Sequence, residues 1–370
     1  MKNILFTLAL LISFVSFGQT ADEYYKRGLS KVQLKDNYGA IADLTKAIEI
    51  DPNYTDAYLF RGASKHYLKD YYGAISDYIK AIEIDPNYTN AYLFSGLSKL
   101  DLKDYYGAIA DYTKAIELNP NANAAYFYRG ISKSKLKDYN GAIADYTKEI
   151  ELDPNDDNAY FTRGRSKSKL KDYYGAIADY TKAIELNPNE AIAYFTRGRS
   201  KRKLKDYYGA IADYTKAIEL NPNYTDAYFY RGISKSKLKD YNGAIADYTK
   251  EIELDPNDDN AYLNRGLSKA ELKDYNGAIA DYTKAIELDP NYALAYFTRG
   301  LSKAELKDYN GAIADYTKAI ELDPNYALAY FTRGLSKEFL GDLNGACADW
   351  KKAAELGETI AAEIVTNNCY

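Results

Sequence analysis

The sequence predicts an all-α solenoid, ten stacked helix-turn-helix units closed by a short C-terminal helix. Three observations carry this reading. All nine prolines, from Pro52 to Pro324, stand 34 residues apart, and none occurs elsewhere. Each 34-residue unit contains two amphipathic helical patterns in the same register. Every unit keeps glycine at its eighth position and alanine at its twentieth. A period of this length marks stacked helical hairpins, so a chain of 370 residues need not break into two or three globules.

Residues 1–18 read as a secretory signal peptide. Met1-Lys2-Asn3 is a short charged start, Ile4 to Phe17 is apolar, and Ser16 and Gly18 place small residues before a cut. An uncleaved anchor is the alternative, but fourteen apolar residues are too few to span a bilayer as a helix. No cysteine lies near the cut, which argues against a bacterial lipid anchor. No long apolar run follows, so the mature chain is expected to lack a transmembrane segment and to be exported to the bacterial periplasm or cell exterior. Residues 19–356 are expected to form the solenoid and residues 357–370 the capping helix.

The ten units begin at Ala21, Thr55, Thr89, Asn123, Asp157, Ala191, Thr225, Asp259, Ala293 and Ala327. In repeat 2, Ala57, Tyr58, Gly62 and Leu68 share one side of the first helix. Tyr71, Ala74, Ile75, Tyr78, Ala81 and Ile82 recur at spacings of three and four in the second. Asp70 stands where a carboxylate caps the second helix, and Asp85-Pro86-Asn87 ends it because proline cannot continue the hydrogen-bond ladder. Gly62 and Ala74 are small so that the two helices approach closely, with Tyr78 filling the space beside them. In the last unit, Gly357 ends the second helix and Thr359 to Thr366 reads as a further short helix. If it folds back, Cys347 and Cys369 meet at one end, and an oxidising compartment would let them form a disulfide. Cys347 takes a slot that isoleucine fills in the other nine units, so it also reads as a small apolar substitute at a buried position.

These residues resemble the tetratricopeptide repeat family from residue 21 to about 360. The family pattern has an aromatic at position 4, glycine at 8, alanine at 20, an aromatic at 24, alanine at 27 and proline at 32. Repeat 2 supplies Tyr58, Gly62, Ala74, Tyr78, Ala81 and Pro86. The resemblance implies a right-handed superhelical solenoid whose first helices line a concave groove. The chain departs from the pattern in four ways. Arginine replaces leucine at position 7, and lysine replaces tyrosine at position 11. Glu149 and Glu251 stand at position 27, where they are expected to loosen their hairpins, and repeat 10 lacks the proline. Residues 125–160 and 227–262 are identical, as are 265–296 and 299–330, which points to recent duplication.

The bulk charge of -5 gives no general attraction for nucleic acid or anionic lipid. Enzyme signatures are absent. His66 is the only histidine, so it has no second histidine for a relay or metal site, and no glycine-rich phosphate loop follows a strand pattern. No catalytic residue, cofactor or metal is implied. Of the 41 tyrosines, the 26 at positions 4, 17 and 24 read as packing, since aromatic stripes at helical spacing usually build a core. Asn53-Tyr54-Thr55, Asn87-Tyr88-Thr89 and Asn223-Tyr224-Thr225 match a glycan-acceptor triplet, which is short, common by chance and at odds with a bacterial leader.

The resemblance assigns positions 2, 5, 6, 9, 12 and 13 to the groove. Position 5 is apolar throughout and includes Phe127, Phe161, Phe195 and Phe229. Position 13 is basic only in the middle, at Lys135, Lys169, Lys203 and Lys237, joined there by Arg165, Arg199 and Arg202. Repeats 8 and 9 carry Glu271 and Glu305 at position 13 instead. An aromatic floor with a basic middle suits an extended acidic segment with apolar side chains, so the partner is expected to be a protein or peptide held by a non-catalytic scaffold. The competing reading is a solvated charged face. The family's carboxylate clamp for chaperone C-termini needs lysine at position 5, which never occurs here. An envelope glycan stacked on exposed tyrosines at positions 18 and 34, such as Tyr72 and Tyr88, is the alternative function. Asp77 at position 23 faces Arg61 at position 7 and is expected to bridge within or between hairpins. With Lys80 and Glu83 it also reads as one solvated helix face.

Overall fold

A computed structural model describes residues 19–369. The expected leader, residues 1–18, lies outside the described residues. Among these, the chain forms 21 α-helices and no strand. The fold divides into two compact units. The first, ending at Leu186, holds hairpins 1 to 5, and the second, starting at Asn187, holds hairpins 6 to 10 and the terminal helix.

Within each unit every helix packs on its chain neighbours. A first helix also touches the first helix of the next repeat, an approach that second helices do not make to the same extent. The first helices therefore form the tighter layer of each unit.

The local chemistry repeats faithfully. The second helix of repeat 2, Tyr71–Ile84, starts at Asp70, whose carboxylate accepts from the Gly73 N–H at 2.9 Å. The turn before it holds Lys69 at φ 64, and eight other repeats also place lysine in this left-handed conformation. Repeat 10 uses Gly341 there, at φ 85, which a residue without Cβ adopts at no steric cost.

The core of hairpins 2 to 10 is a ring against a glycine, and in hairpin 1 Leu44 takes the ring's place against Gly28. Tyr78 is fully buried, and a Cβ built on Gly62 would lie 2.6 Å from its ring. Ala74, Ala81, Leu59 and Ala91 of the next repeat complete that cluster. In repeat 10, Trp350 takes the tyrosine's place and donates from Nε1 to the Phe331 carbonyl at 3.2 Å. The terminal helix, Thr359–Asn368, lays Ala361, Ile364 and Val365 against Trp350. Cys347 and Cys369 are joined by a disulfide, with Cα atoms 5.5 Å apart.

Three expectations need correction. The aspartate at position 23 does not belong to a solvated face. Asp77 is 3% exposed and gripped by Arg61 and Lys65, whereas Lys80 and Glu83 do form an exposed pair. Position 17 is not core. Tyr71, Tyr139, Tyr275 and Tyr309 are half-buried, and Tyr71 meets the edge of His66 while Tyr309 stacks on Phe339, both near the ends of first helices. Cys347 is half-buried rather than buried, because its slot lies at the edge of the interface.

Candidate functional site

The candidate groove residues fall in both units. In the first unit Lys135, Arg165 and Lys169 line a cavity of about 410 Å³ between repeats 4 and 5, and Phe127 and Phe161 do not. Its walls come from the end of the first helix of repeat 4 (Asn123–Lys135), the turn after it, the second helix of repeat 4 (Tyr139–Leu152) and the first helix of repeat 5 (Asp157–Lys169). Lys135, Lys137, Arg165 and Lys169 supply four cations, while Ser134, Thr162 and Tyr139 add hydroxyls. No aspartate or glutamate lines it. Arg165 lies over the Phe161 ring, 5.9 Å from its centroid.

These four cations differ from the basic residues at positions 7, 11 and 26 of the hairpins. Arginine at position 7 and lysine at position 11 are consumed by the aspartate at position 23, as Arg129 and Lys133 are by Asp145. Lysine at position 26 pairs with glutamate three residues on, as Lys148 does with Glu151. Among the described residues, none of Lys135, Lys137, Arg165 and Lys169 has a carboxylate partner within ion-pair distance. Sequence reasoning missed Lys137, because a turn lysine looks like solvated surface. Its left-handed turn, φ 65, carries lysine in eight other repeats too, so no sequence signal singles it out.

In the second unit, Arg199 and Arg202 stack on Tyr230, at 5.6 and 4.9 Å from its centroid. The ring also lies 5.8 Å from Phe195 and 6.3 Å from Tyr214. Tyr230 thus occupies the space that Thr162 leaves open between repeats 4 and 5. The Arg202 Nε and the Tyr214 hydroxyl are buried without hydrogen-bond partners. Burial pushes the Tyr214 hydroxyl upward, and Arg202 pulls it partly back. Lys203 and Lys237 are exposed.

The same structural positions form cavities further along the second unit, with other linings. Between repeats 8 and 9 a cavity of about 370 Å³ presents Glu271, Glu305, Lys273, Leu267 and Leu301. Between repeats 9 and 10 one of about 360 Å³ presents Leu301, Leu335 and Phe339 with Glu305 and Lys307. Phe339 stacks on Tyr309 at 4.8 Å.

The expected aromatic floor is only partly open. In repeat 6, Tyr224 at position 34 covers Phe195, centroids 4.7 Å apart, and leaves it 3% exposed. Phe297 lies under Tyr326 in the same way, and Leu59 and Leu263 pack with Tyr88 and Tyr292. Where position 34 is Asp156 or Asp258, Phe127 and Phe229 remain half-buried, and so does Phe161. Phe195 is therefore core, not floor. The same packing removes Tyr88 from the exposed tyrosines, since its ring sits in the cluster and its hydroxyl donates to Asp56. Tyr72 is 77% exposed, and Tyr38, Tyr106, Tyr174 and Tyr208 match it.

His66 bridges repeats 2 and 3, with Nδ1 2.9 Å from the Ser98 hydroxyl and Nε2 3.4 Å from Asp101. Burial lowers its pKa, against a smaller upward pull from Asp101. Among the described residues no group of side chains is arranged to hold a metal, and no helix is long and apolar enough to cross a membrane.

Tetratricopeptide repeat models match residues 21–54, 55–88, 95–157, 158–190, 191–224, 213–246 and 260–292, and a TPR repeat model matches 300–338. No curated protein matches the chain. Among solved structures, MamA is 31% identical over 45% of this chain and 96% of its own, with a TM-score of 0.43. YrrB, described as a TPR protein with an unusual peptide-binding site, is 27% identical over 50% of this chain and 95% of its own, with a TM-score of 0.46. A tetratricopeptide repeat protein from Parabacteroides merdae is 19% identical over 66% of this chain and 97% of its own, with a TM-score of 0.50, and shares the fold. With repeat models matching stretches from residue 21 to residue 338, this chain belongs to the tetratricopeptide repeat family.

Proposed function

We propose that this protein is a non-catalytic interaction scaffold that holds an extended acidic and apolar segment of a partner protein on its first-helix face. The observation that carries this reading is the cavity between repeats 4 and 5, where four cations face one space with no carboxylate among its lining. Cations left without partners are costly to crowd together, and an acidic segment relieves that repulsion. The half-buried Phe127 and Phe161 rings offer apolar contact nearby in sequence on the same helices.

A fluorescence-polarisation titration with a peptide of alternating glutamate and leucine tests it. Binding should weaken steeply between low and physiological salt. It should fall at least tenfold in the Arg165→Glu, Lys169→Glu variant. Unchanged affinity in that variant removes the reading.

The row of exposed tyrosines at position 18, Tyr38, Tyr72 and Tyr106, favours a second reading, stacking on a neutral envelope glycan. Such binding would be nearly indifferent to salt and lost in the triple alanine variant. Export is also proposed, on the leader-like residues 1–18. A mature N-terminus at Gln19 in protein isolated from the native host would support it, and an intact Met1 would not.

A further inference from the structure

We infer that the cavity between repeats 4 and 5 is a receptor for a phosphate monoester, carried on the partner segment, rather than for single carboxylates. This rests on the reading above and narrows its ligand class.

The lining decides the chemistry. Lys135, Lys137, Arg165 and Lys169 are pure donors, Ser134 and Tyr139 add hydroxyls that donate as readily as they accept, and the Thr162 hydroxyl donates to the Asn158 and Ala159 carbonyls of its own helix. The cavity offers no carboxylate acceptor, so its ligand must be almost wholly acceptor. A peptide carboxylate brings one negative charge and two oxygens. A phosphate monoester brings nearly two charges and three terminal oxygens, and matches four cations better on both counts. Arg165 presents the planar fork that engages two oxygens of one phosphate, while the lysines act as point charges around it.

The surroundings leave these cations available. The neighbouring basic residues Arg129, Lys133, Arg163 and Lys167 are held by Asp145 and Asp179 at 2.7–2.8 Å. The aspartates that neutralise position 7 and position 11 therefore have no capacity left for position 9 or 13. The volume of about 410 Å³ exceeds a phosphate group and leaves room for the side chain that bears it. The equivalent cavity between repeats 8 and 9 has Glu271 and Glu305 in place of Lys135 and Lys169, and Leu301 in place of Arg165, so it serves as an internal control that should not bind phosphate.

Two measurements on the whole protein test this. In the first, free O-phosphoserine is added during thermal unfolding. It should raise the midpoint of the native protein and fail to do so in the Lys137→Ala, Arg165→Ala variant, whose substitutions are at the surface and leave circular dichroism unchanged. No shift in the native protein overturns the inference, and so does an equal shift in the variant. In the second, two leucine-rich acidic peptides differ only by phosphoserine against glutamate. The phosphoserine peptide should bind at least tenfold more tightly, and the conservative Arg165→Lys variant should lose most of that difference. Equal affinities overturn the phosphate assignment while leaving the acidic-segment reading intact. If phosphoserine shifts the midpoint but neither peptide binds, the acidic-segment reading fails and the oxyanion site stands on its own.

Discussion

Arg129 reaches across hairpin 4 to Asp145 and donates two parallel hydrogen bonds, at 3.0 and 2.7 Å, to the two carboxylate oxygens. Lys133 closes on the same carboxylate at 2.7 Å, and the free Nη1 of Arg129 donates to Thr113 of the preceding repeat at 3.0 Å. The pattern recurs in repeats 2, 5, 7, 8, 9 and 10, so one buried aspartate ties both helices of a hairpin and, through arginine, the hairpin before it. This is why arginine and lysine replace the family's leucine and tyrosine at positions 7 and 11.

Removing the aspartate strands two partly buried cations. Asp145→Ala should cost about 3–5 kcal/mol locally. Amide exchange in the helices Asn123–Lys135 and Tyr139–Leu152 should accelerate by about a hundredfold or more. Acceleration below about fivefold would mean that the aspartate is dispensable.

Repeat 3 lacks the arginine and has Ser95, and the repeat before it lacks the threonine and has Ile79. Both ends of one link are therefore missing together, and Asp111 is left with Lys99 at 2.6 Å. The double change Ile79→Thr, Ser95→Arg should install the link and slow exchange in the helix Thr89–Asp101. Ser95→Arg alone should gain less, because its Nη1 would meet no acceptor. Equal effects of the single and double variants would contradict the shared link.

Glu149 and Glu251 are each 1% exposed at position 27. Burial, then the neighbouring Asp156 and Asp258, push their carboxyls up to about 8 and about 9. The folded protein thus holds protons that the unfolded chain releases near pH 4.5. Their contribution is fully present below that pH and lost as pH rises through 8 to 9. The thermal midpoint should fall between pH 5 and 9, and the Glu149→Gln, Glu251→Gln variant should show a flatter profile. A native profile as flat as the variant's would refute this.

Close approach of the paired helices rests on glycine. Gly62→Ala puts a methyl 2.6 Å from the Tyr78 ring and should cost about 1–3 kcal/mol. Ala74→Leu should cost a similar amount by overpacking the same cluster. Guanidinium unfolding of the whole chain should show a lower first transition, and an unchanged curve would show that the ring yields freely.

The Cys347–Cys369 bond closes a loop with a sequence separation of 22. Reduction, or Cys347→Ser with Cys369→Ser, should destabilise the terminal helix Thr359–Asn368 by about 3 kcal/mol. Exchange should accelerate there and around Trp350, while hairpins 6 and 7 stay unchanged. Equal protection before and after reduction would show that packing of Ala361, Ile364 and Val365 alone holds the helix.

The periodic features were legible in the sequence because each is a local rule repeated nine or ten times. Proline spacing bounds the hairpins, glycine and alanine mark the close approach, aspartate caps the second helix, and periodic apolar residues choose the buried stripe. What the sequence left open depends on which side chains meet across hairpins. Asp77 and Lys80 differ little as charged helix residues, yet one is buried under Arg61 and the other solvated. Phe195 and Phe127 occupy the same position, and only the ring of Tyr224 against the small Asp156 decides which is core. Lys137 and Lys133 are both lysines near the end of a helix, but Asp145 takes Lys133 and no carboxylate takes Lys137. Charge and composition determine what groups are present. Neutralisation and exposure depend on neighbours twelve or more residues away, and only the packed tertiary structure brings those together.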